Sequence, residues 1–226
     1  MAGSLRRPTV SVIAELKRRS PSKGTLNAGL DPTRQARAFV RGGAAAISVL
    51  TEPTFFGGSL SDLDAIRATV SVPVLRKDFH IDPLQLVEAH RAAATAVLLI
   101  ARALDQPQLT KLVDFAGRLR LEAVVEVRNE SELERALDAG ATIVGVNSRD
   151  LETLEVDERV PERLMPLLPA DVIGIWESGV HDVDSVRRAA AAGADAVLVG
   201  SALSRAPDAA ALVRELSGVP REDRHG

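Results

Sequence analysis

Apolar runs recur along this chain in one repeated setting. Four stretches, RGGAAAISVL, RAAATAVLLI, LDAGATIVGV and AAAGADAVLVG, pass from an Ala-rich helical end through a small residue into a β-rich apolar run. Taking Gly43, Ala93, Gly140 and Gly193 as equivalent marks, the spacings by subtraction are 50, 47 and 53 residues. Each spacing is about the length of two strand–helix units. Glycine at such a mark suits a left-handed helix cap, and Ala93 is a weaker form of the same signal.

Between the marks lie four further β-type runs, Val10–Glu15, Pro73–Lys77, Glu122–Val127 and Val172–Glu177. The merged order predicts eight strands, near 10–15, 45–50, 73–77, 95–100, 122–127, 142–147, 172–177 and 195–199. Helical patterns follow them, for example Asp31–Arg41, Asp82–Ala93, Gln106–Leu119 and Glu130–Ala139, several opening on Asp, Asn or Pro. Strict strand–helix alternation implies parallel strands with right-handed crossovers, and eight such units in one α/β domain close most economically into a (β/α)8 TIM barrel. An open doubly wound sheet would carry a Gly-x-Gly-x-x-Gly turn after its first strand, and this chain has none there. The expected division is a short N-terminal segment over 1–9, a single barrel over 10–217 and a flexible tail over 218–226.

Composition narrows the picture. The chain has 226 residues, 46% of them hydrophobic and only 3% aromatic, so the core must be built from Val, Leu, Ile and Ala. That suits parallel strands buried on both faces. A net charge of −3 argues against a broad nucleic-acid surface while leaving room for a local anion pocket, for which Arg18, Arg19 and Lys23 are candidates. There is no cysteine, and His80, His90, His181 and His225 are too scattered to suggest a metal site, so no metal is expected. The start MAGSLRRPTV has no apolar signal core and no run approaches the length of a membrane span, which predicts a cytoplasmic protein without membrane or nucleic-acid partners.

In a barrel of this kind the carboxyl ends of the strands form the active face. The first predicted strand ends in Glu15 and Lys17, the third in Arg76, Lys77 and Asp78, the fifth in Glu126, the sixth in Asn147 and the seventh in Glu177 and Ser178. Each closes an otherwise apolar run. One such residue is ordinary fraying, and a single Glu-x-Lys is a surface pair more often than not. A set on five strands converging on one mouth points to catalysis, because paired, partly desolvated groups have shifted pKa values. After the seventh and eighth strands, ESGV and VGSALS offer Gly179, Gly200 and Ser201 beside helix starts, where backbone N–H groups can hold a phosphate.

The segments VIAELKRRSPSKG, SVLTEPTFFGGSLSDL, PVLRKDFHIDPLQLVEAH, VVEV, GVNSRDLETLEVD, ESGV and DAVLVGSAL together resemble, in order, the motifs of the indole-3-glycerol-phosphate synthase family over about Val10 to Leu203. The resemblance implies a ribulose-phosphate-binding barrel. The implied reaction takes 1-(2-carboxyphenylamino)-1-deoxyribulose 5-phosphate to indole-3-glycerol phosphate in tryptophan biosynthesis, with loss of carbon dioxide and water and no cofactor. By the same resemblance Lys77 is the acid of ring closure, and Lys17, oriented by Glu15, contacts the substrate carboxylate and assists loss of hydroxyl. Glu126 is the base of dehydration, and Asn147 and Glu177 support the hydroxyls. The phosphate is expected at Gly179, Gly200 and Ser201 with Ser20 or Ser178 nearby, and the anthranilate ring against Phe56 and Pro21. His80 is expected to be a supporting or surface residue, and Trp176 to face the helix layer. Members of the family usually carry an extra N-terminal helix over the mouth, so with only Met1–Thr9 before the first strand an open site is expected, in a monomer or weak homodimer. Two other readings stay open at this point. One is a diverged phosphate-ligand-binding barrel with little turnover. The other is another ribulose-phosphate barrel enzyme such as phosphoribosylanthranilate isomerase, whose acid–base pair typically includes a Cys that is missing here.

Overall fold

A computed structural model describes residues 1–22, 24–27 and 29–224. Eight parallel strands form a closed barrel: β1 (Ser11–Leu16), β2 (Ala46–Leu50), β3 (Val74–Lys77), β4 (Ala96–Ile100), β5 (Glu122–Val127), β6 (Ile143–Asn147), β7 (Ile173–Glu177) and β8 (Ala196–Val199). Each strand pairs with its neighbours in sequence, and β1 closes the ring by pairing Ser11 with Ala196 of β8 and Ile13 with Ala46 of β2. The helices between them are α1 (Pro32–Gly42), α2 (Leu60–Arg67), α3 (Pro83–Arg91), α4 (Gln106–Arg118), α5 (Glu130–Asp138), α6 (Arg159–Leu164), α7 (Val183–Ala191) and α8 (Ala209–Leu216). No described helix is long and apolar enough to cross a membrane.

The local chemistry explains the boundaries. Asp31, Asp82 and Asp105 cap α1, α3 and α4, each accepting a first-turn backbone N–H just before a proline in the first turn, where the missing N–H costs nothing. All four repeat marks turn left-handed between helix and strand, with φ of 100° at Gly43, 54° at Ala93, 85° at Gly140 and 83° at Gly193. Ala93 holds this conformation despite its Cβ, an uncommon arrangement for a non-glycine residue.

Side chains alternate along each strand. Outward residues such as Val12, Ala14, Val49, Val125, Val144 and Val197 join the helices in one large apolar cluster. Trp176 belongs to it, as expected, and its indole N–H donates to the Ser178 carbonyl at 3.1 Å. Inward residues Ile13, Leu75, Leu98, Val124, Ile143, Ile175 and Leu198 form a second cluster, which Met1 and Leu5 of a short helix (Ala2–Leu5) complete. These N-terminal residues thus sit at the amino-terminal end of the barrel, opposite the mouth.

The C-terminal segment departs from the expected flexible tail. Val219 is buried, Thr9 bridges Pro220, and Arg221 and Arg224 both reach the buried Asp195 carboxylate. A buried carboxylate needs a cationic partner, and this one fixes the tail as far as Arg224. His225, like Lys23, lies outside the described residues.

Candidate active site

Two residue steps above the apolar plug, the inward positions become charged. Glu15 follows Ile13, Lys77 follows Leu75, Glu126 follows Val124 and Glu177 follows Ile175 on the same face of each strand. The Lys77 ammonium is hydrogen-bonded to Glu177 and lies 3.8 Å from Glu15 Oε2 and 3.9 Å from Glu126 Oε2. Lys17 Nζ donates to Glu15 Oε1 at 3.3 Å, and Ser48 Oγ donates to Glu15 Oε2 at 3.3 Å. Three buried carboxylates therefore share one partly buried ammonium, with a second ammonium at the rim.

Close packing sets this geometry as much as charge does. A Cβ at Gly145 would lie 2.1 Å from Glu177 Oε1, and one at Gly200 would lie 2.6 Å from Glu15 Oε1. Both positions exclude a side chain because a catalytic-face carboxylate occupies its space. Gly200, expected at the phosphate, thus also seats Glu15. Gly145 and Ser48 carry no chemical group that a strand-end reading would select.

Burial and neighbouring charge divide the carboxylates. Burial disfavours the Glu15 charge, but the Lys17 and Lys77 ammonium groups outweigh it and hold its pKa below the ordinary value. Burial also pushes Glu126 up, and the negative charge of Glu177 adds to this beyond what Lys77 and Asn147 offset, so its pKa reaches about 7. For Lys77, burial is overcome by Glu177, Glu15 and Glu126, which keep it protonated above the usual lysine range.

These groups open into a cavity of about 480 Å3. Glu15, Lys17, Lys77, Glu126, Asn147, Phe56, Ser178, Gly179, Gly200 and Ser201 all line it. Glu177 does not; it is fully buried beneath the floor and acts on the cavity through Lys77 and Glu126. Ser20 is buried and Pro21 is exposed on the loop that follows β1, and neither lines the cavity. Arg18 is engaged by Asp62 through two hydrogen bonds of 2.5 and 2.9 Å, and Arg19 is exposed on the same loop outside the lining. The cavity's own arginines are Arg149, following β6, and Arg205, following β8, and neither has a carboxylate partner among the described residues. Both went unnoticed in the sequence because arginine after a strand end is common; Arg149 stands two residues past Asn147, and that proximity was the available signal.

The apolar wall comprises Phe56, Phe79, Leu98, Ile100, Leu151 and Leu198. Phe56 and Phe79 rings lie 6.3 Å apart, and the Lys17 ammonium is 5.5 Å from the Phe56 centroid. At the opposite side Ser178 and Gly179 are consecutive left-handed residues, with φ of 66° and 78°. Such a conformation at a serine is strained and is held by its surroundings. His80 is buried behind the apolar wall, with Nδ1 donating to the Leu98 carbonyl at 2.8 Å. Burial, and then the nearby Arg76 charge, lower its pKa to about 4, so the imidazole stays neutral there.

A closed eight-stranded parallel barrel with a carboxylate–lysine cluster opening into a cavity at the carboxyl ends of its strands has the architecture of the (β/α)8 barrel enzymes. Solved structures support the fold: 3-hexulose-6-phosphate synthase from Salmonella typhimurium has a TM-score of 0.74 over 92% of this chain and 97% of that one at 17% identity, and thiamine phosphate pyrophosphorylase from Pyrococcus furiosus has 0.69 over 92% and 94% at 16% identity. The family model for indole-3-glycerol phosphate synthase matches residues 3–216, and the chain belongs to that family. Relatives bearing that name include proteins from Parafrankia sp., 53% identical over 94% of this chain and 79% of the relative, and from Mycolicibacterium smegmatis, 52% identical over 94% and 78%.

Proposed function

We propose that this chain is a carbon–carbon lyase that converts 1-(2-carboxyphenylamino)-1-deoxyribulose 5-phosphate into indole-3-glycerol phosphate, carbon dioxide and water. The observation that carries this reading is the single Lys77 ammonium shared by three buried carboxylates at the floor of the family's cavity.

The substrate has a ring carboxylate, a ketose and a phosphate, and the cavity offers a complement to each. Phe56, Phe79 and Leu151 present apolar surface to the ring, while Arg149 and Lys17 supply positive charge to its carboxylate. The turns at Ser178–Gly179 and Gly200–Ser201 present backbone donors to the phosphate, with Arg205 beside them. Lys77 stabilises the oxyanion that develops as the ring carbon attacks the ketone, and delivers a proton to that oxygen. Loss of carbon dioxide restores the aromatic ring. The anilino nitrogen lone pair then helps to expel the hydroxyl, which Lys17 protonates to leave as water, and Glu126, poised near neutrality, takes a proton from the adjacent ring CH2 as the indole double bond forms. Asn147 and Glu177 orient Glu126 and Lys77 throughout. We further place the protein in the cytoplasm, as a monomer or weak homodimer.

The test is a steady-state assay of the purified chain with the carboxyphenylamino substrate, following indole fluorescence. Saturable turnover is expected. Tight binding of the substrate without turnover would overturn the reading in favour of a binding barrel.

A further inference from the structure

The segment after β6 is stitched to the two preceding strand ends. Asp150 Oδ2 lies 3.2 Å from Arg128 Nη1, just past β5, and Asp150 Oδ1 lies 3.9 Å from Arg102 Nη1, just past β4. Arg102 also reaches Glu152 Oε1 at 2.6 Å. The same Asp150 carboxylate accepts the backbone N–H of Glu152 at 2.7 Å and of Thr153 at 3.2 Å, which shapes the turn. Those N–H groups, with Arg128 and Arg102 nearby, hold its pKa below the ordinary value.

The turn in turn fixes the residues on either side of it. Leu154 takes a left-handed φ of 63°, and its carbonyl accepts Arg149 Nη1 at 2.5 Å, while Arg149 pairs with Val156 in an antiparallel bridge. The Arg149 backbone N–H donates to Asn147 Oδ1 at 2.9 Å. With its oxygen so engaged, the Asn147 side chain has its NH2 group free to turn to Glu126, which lines the same cavity and whose charge Asn147 favours. One chain of contacts therefore runs from the clamp to the guanidinium in the cavity and to the candidate base.

We propose that Asp150 is a positioning residue: clamped by Arg102 and Arg128, it holds the 149–156 turn so that Arg149 faces the substrate carboxylate and the Asn147 amide is locked against Glu126. This rests on the reading of Arg149 and Glu126 given above. A structural staple alone would affect stability but neither substrate affinity nor the titration of Glu126.

The charged groups acting on Glu126 are Lys77 from β3 and Glu177 from β7, with Glu15 of β1 on the same ammonium, and Arg102, Arg128, Arg149 and Glu132 line a small adjoining cavity. The experiment compares Asp150→Asn, which keeps an acceptor for the turn, with Arg102→Gln at a half-exposed site and Arg128→Gln. Two quantities are read: KM for the carboxyphenylamino substrate, and the Glu126 midpoint from carboxyl-labelled glutamate NMR, assigned with Glu126→Gln. Loss of one charge-assisted contact predicts a rise in KM of roughly tenfold in Asp150→Asn with a smaller change in kcat. Weakening the Asn147 hydrogen bond raises the Glu126 midpoint in all three variants. A purely through-space effect would instead lower it in Asp150→Asn and raise it in the arginine variants. Opposite directions, or an unchanged KM and midpoint in folded variants, would overturn the proposal. The NMR arm needs no turnover, so an inactive wild-type chain would sink the proposed function and still leave this inference open to its own test.

Discussion

The two ends of the barrel are built from the same strands and have opposite chemistry. At the amino-terminal end, Ile13, Leu75, Val124, Ile143 and Ile175 pack with Met1 and Leu5 into a dry plug. One alternation further along, the same strands present Glu15, Lys77, Glu126 and Glu177, with Gly145 at the matching position of β6 and Asn147 one alternation beyond it. About 7 Å of strand rise separates the two layers. The apolar layer beneath keeps water from reaching the charges from below, so they must satisfy one another, and their mutual interaction is stronger than it would be in water. The lower layer carries stability and the upper one spends part of it on reactivity.

The sharpest way to break this contrast is Lys77→Met. Removing the developing-oxyanion partner is expected to cost a hundredfold or more in turnover. It also removes the charge that offsets burial at Glu126, so that carboxyl should bind its proton still further above the ordinary carboxylate range in the folded state. The sign follows: stability would be retained below that ordinary range and lost as pH rises through the raised value. Thermal melts at pH 5 and pH 8 check this, and a near-normal rate or a pH-independent Tm would remove Lys77 from the centre of the network.

Glu126→Gln tests a single member of the layer. The amide keeps the shape but cannot take a proton, so dehydration should slow by ten- to a hundredfold while ring closure is less affected. A decarboxylated, still hydrated intermediate should accumulate in single-turnover experiments; equal slowing of both steps without one would assign Glu126 elsewhere.

The wild-type pH profile is a gentler probe. With the Glu126 pKa near 7, kcat/KM is expected to fall about tenfold per pH unit on the acid side below that point. The same raised pKa contributes stability that is present below the ordinary glutamate value of 4.5 and lost as pH rises through about 7. Activity and this part of stability therefore run in opposite directions, and an acid limb centred near 4.5 would contradict the environment described for Glu126.

Leu5→Ala should leave kcat closest to normal. Emptying part of the plug is expected to cost about 2–4 kcal/mol of stability by denaturant unfolding. A matching loss of turnover at temperatures where the variant remains folded would mean that the two layers are coupled.

Much of this was legible in the chain. Strand–helix alternation and the four marks specify the barrel because periodicity and helix capping are local properties, and the polar residues at strand ends specify the mouth once the barrel is known. Trp176 could be turned outward by counting from Glu177. Lys17, Lys77, Glu126 and Asn147 were readable for the same reason: each is a polar residue ending an apolar run.

Other features depended on contacts between distant segments. Ser20 and Pro21 follow β1 within a family motif, yet the loop carries them away from the cavity lining, and loop conformation is not set by period. Docking of 219–224 required Asp195, more than twenty residues away, as the buried partner. Gly145 became meaningful only when Glu177 of the neighbouring strand occupied the space of its missing side chain. The sequence by itself determined which groups stand at the mouth. Only the tertiary structure decided that Lys77 is held by three carboxylates, that Glu177 lies beneath the floor and that Arg149 and Arg205 have no carboxylate partner among the described residues, because partner choice and burial depend on strand register and loop closure.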